Sequence, residues 1–134
     1  MAAHTAPSAT EDLEAGAALS KQKKWPEALA AFHTAVKKDP TLSEAWFGIA
    51  QVFFRKDRCK ATEAMIEPLM RCLDLDPNHA NARELHGEYL RAGDDRDVVA
   101  AAEEFRVTIQ LDPTNPMYAP ALNKLGNLRK NVPK

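Results

Sequence analysis

Two cysteines, Cys59 and Cys72, are too few in 134 residues for a disulfide framework and are read as reduced thiols. No apolar run approaches the ~20 residues that cross a bilayer. The opening MAAHTAPSAT has no basic start leading into an apolar stretch, so no secretory signal is expected. The five glycines are scattered, which excludes a phosphate-cradling loop. An excess of one charge is also missing. Lys and Arg number 18 against 19 Asp and Glu, a net charge of −1, so nothing pulls the whole chain toward nucleic acid. His4, His33, His79 and His86 show no paired metal-ligand spacing. Asp94, Asp95 and Asp97 lack the glycine and the final glutamate of a calcium loop. No catalytic residue, metal or cofactor is expected, so the chain is read as a cytoplasmic non-enzyme that does not engage membranes.

What the chain does have is a period. KKDP ends at Pro40, LDLDP at Pro77 and IQLDP at Pro113, intervals of 37 and 36 residues. A fixed interval of this size marks a stacked repeat architecture. Between these marks lie good helix formers, and alternating β-branched runs are absent. The spacing predicts paired helices: 11–22 with 26–38, 42–55 with 61–75, and 80–92 with 96–111. A last helix is predicted over 116–130. Thr41 with Glu44 has capping-box spacing, and Pro68 should kink the helix that contains it. Ala28/Phe32/Ala35, Met65/Leu69/Cys72 and Ala101/Phe105/Thr108 repeat at i, i+4, i+7, one buried stripe per second helix. No single pair could bury its stripe alone, so the pairs must stack.

These features resemble the tetratricopeptide repeat, with signature W-x2-L-G-x2-Y … A-x3-F … P. Gly16, Ala28, Phe32, Ala35 and Pro40 match in the first unit. Trp46, Ile49, Ala50, Phe53, Met65, Leu69, Cys72 and Pro77 match in the second, and Gly87, Leu90, Ala101, Phe105 and Pro113 in the third. The family interval of 12 from Gly16 to Ala28 grows to 15 from Ala50 to Met65 and 14 from Gly87 to Ala101. Arg83 stands where a Trp-like residue is usual, and His86 where Leu is usual. The resemblance implies an all-α, right-handed α-solenoid of three helix–turn–helix repeats over 10–40, 41–77 and 78–113, closed by a capping helix at 116–130. Residues 1–9 and the tail 131–134 are expected to lie outside the ordered domain.

The family's pattern also implies a concave groove lined by first helices. Its groove-facing positions here are Leu13, Ala17, Ser20, Phe47, Gln51, Phe54, Glu84, Glu88 and Arg91. Phe47 and Phe54 lie seven apart, beyond a complete core stripe; at least one is expected to lie in the groove as a binding anchor, the alternative being that neighbouring helices bury both. The glutamates would favour a basic partner. The carboxylate clamp of the family's chaperone-binding subclass uses Lys, Asn and Arg. The matching positions hold Leu13, Ala17, Gly48, Asn81 and Leu85, so no clamp is expected. The resemblance implies an adaptor or scaffold that binds a peptide segment or helix of another protein. The alternatives are a self-associating assembly protein, with homo-oligomers, or a use like that of bacterial secretion chaperones.

Overall fold

A computed structural model describes residues 7–58, 62–91 and 95–114, giving only the backbone of 95–98. All regular structure among them is helical. Helix α1 spans Ala9–Lys21, α2 Trp25–Lys38, α3 Ser43–Lys56, α4 Ile66–Leu75, α5 Ala80–Arg91 and α6 Asp95–Leu111, with a 3-10 turn at Glu63–Met65. The expected capping helix, Cys59 and Asp94 lie outside the described residues, as do the side chains of Asp95 and Asp97.

Helix ends follow local chemistry. Ser8 caps α1 by accepting the Glu11 N–H at 3.1 Å, so the helix starts inside the stretch expected to lack structure. At its other end the Lys24 N–H reaches the Leu19 carbonyl and the Lys23 N–H that of Ser20, both at 3.0 Å. This is the double bond pattern of a Schellman ending, and Lys23 sits in its left-handed position at φ 60°. Lys38 Nζ ties the end of α2 back to the start of α1, 2.7 Å from Asp12 Oδ2.

Two local expectations fail for identifiable reasons. Thr41 and Glu44 form no capping box. Asp39 Oδ1 instead accepts from the Thr41 hydroxyl at 2.6 Å and its N–H at 3.0 Å, an Asx turn that commits the threonine. Leu42 becomes the N-cap of α3. Pro68 does not kink a long helix, because α4 begins only at Ile66 and places it in the first turn. N–H groups there have no intrahelical partner, so the proline removes no bond.

Packing follows the repeat. Within repeats α1 packs on α2, α3 on α4 and α5 on α6; between them α2 packs on α3 and α4 on α5. All nine stripe residues are buried, and each large one contributes about 1.5–3 kcal/mol of apolar burial. Phe32 of α2 fills a slot between two glycine faces, Gly16 of α1 and Gly48 of α3, while Phe105 of α6 lies against Gly87 of α5. Helices can approach closely only where such a side chain is missing. At the next junction Leu69 and Leu85 share one cluster, a smaller B-helix residue meeting a larger A-helix one.

The departures at α5 are also accommodated. Trp46 Nε1 donates to the Pro40 carbonyl at 2.8 Å, and Arg83 Nε donates to the Pro77 carbonyl at 2.9 Å. The arginine thus makes the same backbone bond one repeat later. Its Nη1 also reaches Glu104 Oε1 of α6 at 3.2 Å, and His86 Nδ1 lies 3.2 Å from Glu104 Oε2. The pair of substitutions at Arg83 and His86 is therefore matched by one acid on the partner helix.

Candidate partner-binding groove

The first and second repeats bound an open hollow of about 250 Å³ between α1 and α3. From α1 come Leu13, Ala17, Ser20 and Lys21, and from α3 Glu44, Phe47, Gly48, Gln51 and Arg55; Phe32 of α2 also lines it. Spacings of three and four along each helix put these residues on one face. Of the positions named from the sequence, Leu13, Ala17, Ser20, Phe47 and Gln51 line this hollow together. Phe54, Glu84, Glu88 and Arg91 are not among the residues lining this hollow.

Phe47 lines the hollow, but neither it nor Phe54 stands fully exposed. Phe47 is 9% exposed, because the imidazole of His79 stacks on it with ring centroids 4.9 Å apart and it packs within the second core cluster. It shows the hollow only part of its ring. Phe54 is half-buried against the same cluster. Glu88 was expected on a polar rim but is buried, with Arg91 Nη2 donating to its Oε2 at 3.2 Å. Glu84 is half-buried and Arg91 exposed. The A helix of the third repeat turns its middle acid inward because the chain spends a neighbouring arginine on it.

Phe32, Glu44, Arg55 and Lys21 also line the hollow and are not among the groove positions named from the sequence. Lys21 and Arg55 extend by one turn the series from Ala17 and Gln51, and that spacing was the available signal. Glu44 Oε1 accepts from His79 Nε2, and this hydrogen bond, against the opposing effect of partial burial, holds the carboxyl below its ordinary pKa. His79 Nδ1 accepts the Ala82 N–H at 3.1 Å and so caps α5, which places the neutral ring's proton on Nε2. One side chain therefore joins the hollow's wall to the start of the third repeat. Lys21 and Arg55 have no ion-pair partner among the described residues; the Arg55 guanidinium lies 5.5 Å from the centroid of Trp25.

Among the described residues no three His, Cys, Asp or Glu side chains gather as a metal site. Burial first, then the nearby Glu44 and Asp76 carboxylates, push the Cys72 thiol up to about 12, so it stays protonated and unreactive at neutral pH. No helix among the described residues is long and apolar enough to cross a membrane.

Paired helices stacked through complementary stripes define an all-α, solenoid-like repeat fold. Residues 13–61 match the tetratricopeptide repeat family, and the described architecture is similar to that of solved tetratricopeptide repeat domains. Among solved structures it is similar to the first repeat domain of Spaghetti (RPAP3) bound to HSP90 peptide SRMEEVD, at 19% identity over 92% of each chain with a TM-score of 0.78. It is also similar to the P58(IPK) repeat domain, at 22% identity over 91% of this chain and 33% of that one, with a TM-score of 0.75. The second repeat domain of human RPAP3, in complex with HSP70 peptide SGPTIEEVD, is 16% identical over 90% of this chain and 94% of that one, with a TM-score of 0.71. At these identities what is shared is the fold. No curated protein matches the sequence.

Proposed function

We propose that the protein is a cytoplasmic protein–protein interaction module that holds a segment of a partner chain in the hollow between α1 and α3. It acts by shape and contact, without catalysis. The observation that carries this reading is the convergence of Leu13, Ala17, Phe47 and Gln51, from two separate helices, on one open hollow. Leu13 and the Phe47 edge offer apolar contact, and Gln51 can both donate to and accept from a peptide backbone. The similar domains solved with bound peptides support the general mode.

The same reading excludes a carboxylate clamp. Leu13, Ala17, Gly48, Asn81 and Leu85 stand at the positions where a clamp needs its cations and amides. A peptide such as SRMEEVD should then bind no better with a free C-terminus than with an amidated one. The main test compares proteins captured by the parent with those captured by a Leu13→Glu/Ala17→Glu variant, folding being checked by circular dichroism. The variant should lose the specific partner. Identical capture by both proteins would refute the assignment of the hollow.

A further inference from the structure

We propose that a basic edge beside the hollow receives a run of acidic side chains in the partner segment, an inference that rests on the binding role given above. The turn after α1 carries Lys21, Lys23 and Lys24, and the end of α3 carries Arg55, Lys56 and Arg58. Within residues 21–24 and 55–58 the only acid is Asp57. The two turns belong to one surface. Arg55 lies over Trp25, the residue after Lys24, and Lys21 and Arg55 line the same hollow. The hollow's own acid, Glu44, is hydrogen-bonded to His79.

Backbone conformation supplies a second observation. Lys23 and Arg58 are the positive-φ non-glycine residues among those described, at 60° and 59°. Both occupy turns at corresponding ends of A helices, where glycine would sit without strain. Holding a cation there costs stability, and strain retained at a surface points to a role for the side chain. The chain as a whole has a net charge of −1, so this edge is a local excess and not a general property. Asp39, Asp76 and Asp112 lie instead in the turns that follow B helices. An extended polyanion such as nucleic acid would meet both edges, whereas a short acidic stretch can use the basic one alone. Continuity with a hollow walled by Leu13, Phe47 and Gln51 favours a polypeptide.

The test is fluorescence anisotropy with a short, C-terminally amidated peptide of leucine and glutamate, beside a twin with lysine for glutamate and a single-stranded oligonucleotide of equal charge. The acidic peptide should bind at low salt, and a Lys21→Glu/Lys56→Glu variant should weaken it about tenfold or more. A Lys21→Gln/Lys56→Gln variant should fall between the two, which guards against a folding defect. Absence of binding, equal binding of the lysine twin or the oligonucleotide, or indifference to both variants would overturn the proposal. If it fails while Leu13→Glu/Ala17→Glu still removes the captured partner, the binding role stands and only its charge preference falls.

Discussion

Gly48→Ala tests the packing logic through its sign. Replacing an interior helical glycine by alanine is normally worth about 1 kcal/mol of added stability. Here the new Cβ would lie 2.5, 2.6 and 2.8 Å from Cε1, Cζ and Cδ1 of Phe32. Ordinary carbon contacts lie at about 3.5–4.0 Å, so the ring or the helix must yield by roughly 1 Å. The ring has little room to retreat, because Gly16 faces it so closely that a Cβ there would lie 2.7 Å away. Overpacking of this kind costs about 1–3 kcal/mol, and a clash with an aromatic ring confined on both sides belongs at the upper end. The net expectation is a loss of about 1–2 kcal/mol, a fall in Tm of about 4–8 °C. Urea unfolding followed by circular dichroism measures it. The double variant Phe32→Leu/Gly48→Ala supplies the internal control, because Leu69 and Leu85 already combine an aliphatic B-helix residue with a larger A-helix one. In the Phe32→Leu background Gly48→Ala should be neutral or stabilising, a coupling of at least about 1 kcal/mol. A single variant that melts at or above the parent would refute the two-faced slot.

Other positions give further expected outcomes. Lys23→Gly relieves a left-handed lysine in the Schellman ending of α1 and should raise stability by about 0.5–1 kcal/mol in the same urea assay; no gain would mean that the turn carries no strain. Burial opposes ionisation of Glu104, but His86 and Arg83 more than offset it, and its pKa is lowered like that of Glu44. For a depressed carboxylate the stabilisation is fully present above its unfolded pKa and lost as pH falls through the folded one. Tm should therefore drop progressively below about pH 5, and Glu104→Gln should flatten that acid limb. An unchanged pH profile in the variant would show that Glu104 contributes no such linkage.

Much of the fold was legible because its period is carried by residues that cannot be exchanged freely. A proline ends each repeat, and an Ala/Phe-type stripe must face the preceding helix, so the two signals fix phase and face together. The boundaries that failed, at Thr41 and Pro68, were decided by which acceptor lay nearest and by where a 3-10 turn let α4 begin; neither is a matter of periodicity. The surroundings of the groove positions were less legible for a related reason. The family resemblance named Leu13, Ala17, Phe47 and Gln51, but a position along one helix says nothing of what arrives from the next repeat. His79, 32 residues beyond Phe47, covers that ring, and Arg91 draws Glu88 inward.

Arg83 shows how the repeat absorbs such changes without losing its frame. The demand at that position is not aromaticity alone but a donor that can reach the carbonyl of the preceding proline, and Trp46 and Arg83 both meet it at nearly equal distance. An indole meets it with an apolar body that packs unaided. A guanidinium brings a charge, which would be costly in a half-buried seam without a partner. Glu104 answers that charge from α6 and also engages His86, so the third repeat replaces part of an apolar seam by an ion cluster while keeping the backbone bond. The hollow follows the same frame: it fixes where A-helix residues point, and under the proposed binding role Lys21 and Arg55, one turn further on, are the groups an acidic partner segment would meet.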